Sequence, residues 1–161
     1  MRKGVYESST DELAWDINNG VFTVDTPYVK SATGFIKGEK IKLDNVTINV
    51  GNDFAAVSVT SPDAQPVEEA DRMLVTAAAR GMNSGFETDS SASTVLDMGG
   101  APILLEQVEG TVSIEGTDFD VYVLSSSGER IKTANTCIED GFTVLEMGIS
   151  DKTMHYEFVR R

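Results

Sequence analysis

Apolar and polar residues alternate with a period of two along almost the whole chain, the pattern of strands with one buried face. From the N-terminus, the alternation predicts strands at 4–7, 12–16, 21–25, 28–36, 39–43, 45–50, 54–61 and 71–80. A second set follows at 102–106, 108–115, 119–125, 129–134, 136–139, 141–147 and 153–159. Turn signals separate them, among them Lys37-Gly38, Gly51-Asn52-Asp53, Ser61-Pro62-Asp63, Ser127-Gly128 and Asp140-Gly141. In Phe54–Thr60 the residues Ala55, Val57 and Val59 share one face, and in the last strand Met154, Tyr156 and Phe158 share one. Many short antiparallel strands without helical periodicity predict an all-β fold: a jelly-roll-like antiparallel β-sandwich, forming a single domain over residues 1–161.

Three stretches add to this pattern. Leu13-Ala14-Trp15-Asp16 and Gly20-Val21-Phe22-Thr23-Val24-Asp25 flank an Asn-Gly turn signal and read as a hairpin carrying the only tryptophan. Arg72–Arg80 contains three alanines and would suit a helix by propensity. Its neighbours are strands and its small residues suit close sheet packing, so a strand is expected. From Gly81 to Gly100 the rhythm breaks, and glycine, serine and acidic residues predict a long loop away from the sheet.

At 161 residues the chain suits one domain able to bury its own core. The net charge of −13 repels phosphate backbones and anionic lipid, which argues against nucleic acid and membrane surfaces as partners. Neutral polymers such as polysaccharides and hard cations such as calcium stay open. No apolar run approaches the length of a membrane-spanning helix, and Met1–Val5 is not an apolar signal segment. The chain is therefore expected to be cytoplasmic, already processed or excised from something larger.

Catalytic ingredients are few. His155 is the only histidine and sits in an alternating strand, where a surface or interface position is expected; Cys137 is the only cysteine and reads as a small buried apolar group. No nucleophile elbow, Cys–His pairing or phosphate cradle is visible. With 26 acidic residues, a pair of carboxylates at glycosidase spacing carries no information. No cofactor is expected. Asp118 with Asp120, and Asp11 and Glu12 with Asp16, are possible seeds of a structural calcium site, against the alternative of a solvated acidic face.

Aromatic residues are the remaining handle, since proteins hold neutral sugars by stacking rings on them. The candidate rings are Tyr6, Trp15, Tyr28, Phe86, Tyr122 and Tyr156. Phe22, Phe35, Phe54, Phe142 and Phe158 are assigned to the core by strand periodicity, and Tyr122 joins them among Val121, Val123 and Leu124. Trp15 is left open between core and a ligand platform or domain interface. The expected carbohydrate contacts are Trp15 and Tyr28 as platforms, with Asn83, Phe86 and Glu87 from the long loop.

Leu13–Asp16, Gly20–Pro27, Val46–Ile48, Phe54–Ser61, Arg72–Arg80 with Asn83-Ser84-Gly85, and Ala101–Gly110 together resemble the C-terminal β-sandwich of large bacterial glycoside hydrolases. The resemblance covers roughly residues 5–125. The chain departs from that pattern at Tyr28, where a basic residue is favoured, and in the turn Pro62-Asp63-Ala64-Gln65-Pro66. The resemblance implies a non-catalytic accessory module, carbohydrate-binding-module-like, attached to a catalytic barrel that this sequence lacks. It implies a plant-type polysaccharide as partner and an extracellular or cell-surface location within a larger bacterial enzyme. The alternative it leaves is a structural domain that packs on the barrel and binds no glycan.

Overall fold

The computed structural model describes residues 4–161; the expectation placed on the N-terminal residues 1–3 lies outside them. In chain order the strands begin with β1 (Val5–Glu7), β2 (Leu13–Asp16), β3 (Val21–Asp25), β4 (Val29–Gly34), β5 (Ile41–Leu43) and β6 (Val46–Val50). Next come β7 (Ala55–Thr60), β8 (Arg72–Ala78), β9 (Gly81–Ser84), β10 (Glu87–Thr88), β11 (Val95–Asp97) and β12 (Gly100–Leu105). The last are β13 (Gly110–Glu115), β14 (Phe119–Leu124), β15 (Arg130–Thr133), β16 (Asn135–Glu139), β17 (Phe142–Met147) and β18 (His155–Arg160). A short 3-10 turn at Ile149–Asp151 is the only helical element among the described residues, and no helix there is long and apolar enough to cross a membrane.

Two antiparallel sheets pack together as the alternation predicts, giving an all-β sandwich. The wide sheet has nine strands in the order β1-β2-β3-β4-β7-β8-β18-β14-β15; the narrow one has five, β16-β17-β13-β6-β5. The chain passes repeatedly between them, so neither sheet forms without the other. Their facing sides make one core. Val57 and Val59 of β7, Met73 and Val75 of β8, and Tyr156 and Phe158 of β18 meet Ile48 and Val50 of β6, Val112 of β13 and Leu145 of β17. Arg72–Arg80 is a strand, as expected: Met73, Val75 and Ala77 are buried in alternation.

One buried charge lies on the inner side. Lys30 of β4 is 3% exposed, and its Nζ sits 2.7 Å from Asp25 Oδ1 of β3 and 3.8 Å from Asp44 in the β5–β6 turn. Asp25 Oδ2 also accepts the Asp44 backbone N–H at 2.9 Å. This link ties the two sheets together and supplies the partners that a buried ammonium requires.

Where a loop was expected over 81–100, β9, β10 and β11 form instead; β12, at the strand expected over 102–106, pairs with β9, and β10 with β11, in a two-part hairpin outside both sheets. Every residue of β12 is exposed. A strand buried on neither face has no reason to alternate, so β9–β11 left no period-two trace in the sequence.

The core assignment of the phenylalanines needs correction. Phe158 is fully buried and meets Phe119 edge-on at 5.8 Å between ring centres. Phe142 is only half-buried. Phe22, Phe35 and Phe54 are exposed. Phe35 lies just past the end of β4 against Phe54, with ring centres 5.6 Å apart, and Ile36 takes the core position beside it. Tyr122 is half-buried on the outer side of the wide sheet under the Arg130 guanidinium, 4.2 Å from its ring centre. Cys137, on edge strand β16, is also only half-buried.

Phe158→Ala is expected to destabilise the protein by about 3–5 kcal/mol, the usual cost of emptying a buried aromatic site. Urea unfolding of the two proteins measures the difference.

Candidate functional site

Residues directly opposite each other on paired strands share a face. Tyr6 pairs with Trp15, Trp15 with Phe22, and Phe22 with Thr33. Thr33 pairs with Ala56 and Ala56 with Ala78. These six residues therefore form one row across β1, β2, β3, β4, β7 and β8. Ala32, the neighbour of Thr33, is completely buried, so the row lies on the outer side of the sheet. Its aromatic end is open to solvent: Tyr6 is 60% exposed, Trp15 54% and Phe22 39%. A second row beside it runs Leu13, Val24, Ser31, Ser58 and Thr76 before ending at His155.

Local chemistry sets this arrangement. Asp16 Oδ1 accepts the backbone N–H groups of Asn18 at 3.0 Å and Asn19 at 3.1 Å, which closes the β2–β3 turn and fixes its register. Gly34 then lets β4 lie against β3. Its φ is +130°, and a Cβ there would stand 2.0 Å from the Gly20 carbonyl oxygen.

The five residues singled out from the sequence do not gather. Trp15 is the middle ring of the exposed row. Tyr28 is half exposed in the turn between β3 and β4, at the end of the sheet away from the Trp15–Phe22 pair. Thr26 Oγ1 accepts the Val29 N–H at 2.9 Å in that turn. Asn83, Phe86 and Glu87 lie in the 81–105 hairpin. The Asn83 amide donates to the Met98 carbonyl at 2.9 Å, Phe86 is half-buried, and Glu87 is exposed opposite Asp97. Tyr6 was a candidate ring without an assigned contact, and Phe22 was assigned to the core. The hairpin register finds Phe22, because an Asn18–Asn19 turn centre sets Trp15 opposite it; Tyr6 joins only through the pairing of β1 with β2. Tyr156 is completely buried, so it is no surface ring; its hydroxyl donates to Asp151 Oδ2 at 3.1 Å.

Four grooves lie elsewhere. One of about 330 Å³ surrounds Lys30 with Glu12, Asp25, Asp44 and Glu68. One of about 320 Å³ on the narrow sheet is lined by Lys40, Lys42, Thr47, Ser113, Glu115 and Phe142. A third, about 340 Å³, surrounds Asn52, whose side chain bonds Glu106, the Gln107 carbonyl and the Glu109 N–H. The fourth, about 580 Å³, is the most apolar and lies beside the hairpin, between Leu105, Ile131, Ile149 and Met154. The hairpin itself exposes Met82, Leu96, Met98, Ile103, Leu104 and Leu105.

The titratable groups of the sandwich are mostly engaged. Glu157, on the outer side of β18, is buried and accepts hydrogen bonds from Arg72 Nε at 2.9 Å and Arg130 Nε at 2.6 Å. Burial alone would raise its pKa. The hydrogen bonds and charges of Arg130 and Arg72 outweigh that effect and hold it below the ordinary value. Partial desolvation, with Glu139 and Glu146 nearby, pushes the Cys137 thiol up, away from nucleophilic character. In the hairpin, the Ser93 N–H and the surrounding serine groups lower Asp89 to about 2. His155 Nδ1 shares a hydrogen bond with Thr76 Oγ1 at 3.2 Å and is half-buried. Asp118 and Asp120, candidate calcium seeds, face Arg160 at 3.2 Å and Arg161 at 3.7 Å. Among the described residues no three His, Cys, Asp or Glu side chains are arranged to hold a metal ion.

The chain matches no family model, no curated protein and no solved structure in the comparisons made with each.

Two outcomes are expected from this geometry. Trp15 fluorescence should emit close to free indole and be quenched readily by acrylamide, whereas a blue-shifted, protected emission would place the ring in a core. The Glu157 carboxylate should stabilise the protein above its unfolded pKa, near the ordinary 4.5, and lose that effect as pH falls through its lower folded value. Glu157→Gln is therefore expected to cost about 2 kcal/mol at neutral pH, with the gap to the parent closing below about pH 4 in urea unfolding.

Proposed function

We propose that this chain is a non-catalytic carbohydrate-binding module of a polysaccharide-degrading enzyme, holding a plant-type polysaccharide by aromatic stacking. The observation that carries this reading is the exposure of Trp15 between two further exposed rings, Tyr6 and Phe22, in one cross-strand row. A folded chain with 24% charged residues has enough polar groups to cover this face. Three large rings left in water there argue for a ligand that covers them. Sugar rings present C–H faces to the aromatics and hydroxyls to the flanking Thr33 and Ser31. Tyr28, in the β3–β4 turn, and Asn83, Phe86 and Glu87, in the 81–105 hairpin, are not members of the row. The module would act by holding its attached barrel on the polymer and raising the local substrate concentration, which suits an extracellular or cell-surface enzyme.

A second reading has its own support. The fully exposed apolar strand β12, with Met82 of β9 beside it, suits packing against another domain, as a structural sandwich on a glycoside hydrolase barrel would require. It uses a different part of the molecule from the ring row, so the two roles are compatible.

Retention by a panel of glucans, xylans and mannans, both dissolved and as insoluble powders, tests the proposal. The parent is expected to be retained by at least one polymer and Trp15→Ala to lose at least tenfold in affinity. Retention by none of them overturns the binding role and leaves the packing role.

A further inference from the structure

The row that carries Trp15 is longer than its aromatic part. It continues from Phe22 through Thr33 and Ala56 to Ala78, crossing six adjacent strands in register. Adjacent strands lie about 4.8 Å apart, so the row is about 24 Å long. Three rings form one end and three small side chains the other. The floor beyond the rings is therefore open to a ligand lying across the strands.

Charge is missing from these two rows. None of the six residues of the row is charged, nor is any residue of the neighbouring row before His155, in a chain that carries a net −13. The acidic surface lies elsewhere: the four grooves, three of which contain carboxylates of Glu or Asp in addition to the one around Leu105, share no residue with the row. A polyanionic ligand would meet no cation in the row, since Arg80, two residues beyond Ala78, is already paired with Glu106 at 2.7 Å, and it would be repelled by the molecule as a whole. A neutral one meets no desolvated charge.

On the basis of the proposed carbohydrate-binding role, we infer that the ligand is a single extended, uncharged glycan chain that lies across the strands, along the row from Tyr6 to Ala78. An extended β-linked glycan advances by about one strand spacing per sugar, so the row takes about five sugars. The reducing and non-reducing ends are distinguished only by which of them lies over the rings. The rings provide stacking, and Thr33, with Ser58 in the next row, provides hydroxyl partners.

Isothermal titration with neutral gluco- and manno-oligosaccharides of two to seven sugars tests this, using the parent, Trp15→Ala and Ala78→Arg. Unchanged thermal unfolding of the variants shows that they fold. Affinity should rise with length up to about five sugars and then level off, with little dependence on salt. Trp15→Ala should lose at least tenfold at every length. Ala78→Arg, at the far end of the row, should lose at least threefold for five or more sugars and leave the trisaccharide unaffected. Binding that reaches its full strength with two or three sugars, or that ignores Ala78→Arg, overturns the orientation and leaves the carbohydrate-binding role standing. Tighter binding of oligogalacturonate than of every neutral sugar overturns the assignment of an uncharged ligand. No binding of any oligosaccharide or of the polymers above overturns the carbohydrate-binding role itself.

Discussion

The pairing of β3 with β4 is the constraint on which the rest of the molecule depends. It sets Thr23 opposite Ala32, facing inward, and Phe22 opposite Thr33, facing outward. A slip by one residue would exchange the two faces, burying Phe22 and exposing Ala32, which is now completely enclosed. Two local features hold the register. Asp16 closes the preceding turn on the backbone of Asn18 and Asn19, and Gly34 admits the Gly20 carbonyl where any side chain would collide with it. Lys30 adds a third, because its ammonium reaches Asp25 and Asp44 only from the inward side of β4. The ring row is a consequence of these choices rather than a separate device.

Burial and charge divide the molecule in the same way. The enclosed charged groups, Lys30 and Glu157, each have partners within hydrogen-bond reach, as their desolvation demands. Glu157 of β18 and its arginines, Arg72 of β8 and Arg130 of β15, lie toward one edge of the wide sheet, the rings of β1–β3 toward the other, with alanines, serines and threonines between them. One sheet surface thus passes from apolar through small and uncharged to ionic. The rows that cross the outer face of β1–β4, β7 and β8 are thus uncharged as far as His155 despite the acidity of the whole chain.

Two apolar regions are open to solvent and they differ in construction. The rings sit on β1–β3, of which only Val21 packs against the core, and the row continues over β4, β7 and β8, whose other side is the packed core. The 81–105 hairpin has no core beneath it and exposes aliphatic side chains along β12. One region is aromatic and built from paired strands of the wide sheet, the other aliphatic and built from a hairpin outside both sheets.

The sequence by itself determined the sandwich. Period-two alternation marked strands at Phe54–Ser61 and 153–159, and the small residues of Arg72–Arg80 were read correctly as a strand, because a strand with one buried face must write its pattern into the chain. The β2–β3 hairpin was legible from its Asn-Gly turn. Alternation states only that two faces differ, so it could not say which one is inside: Phe22 and Phe54 look like core residues along the chain and become surface residues once β4 and β7 pair. Nor could it bring Tyr6 beside Trp15, since a cross-strand row is made of residues distant in sequence and adjacent only through hydrogen bonds between strands. Residues 81–100, which hold β9–β11, look like a loop for a related reason, having no buried face to impose a period, whereas the strand expected at 102–106 is present as β12. Tertiary structure decided which side of each strand meets water, because that depends on which strands pair and on what packs over them.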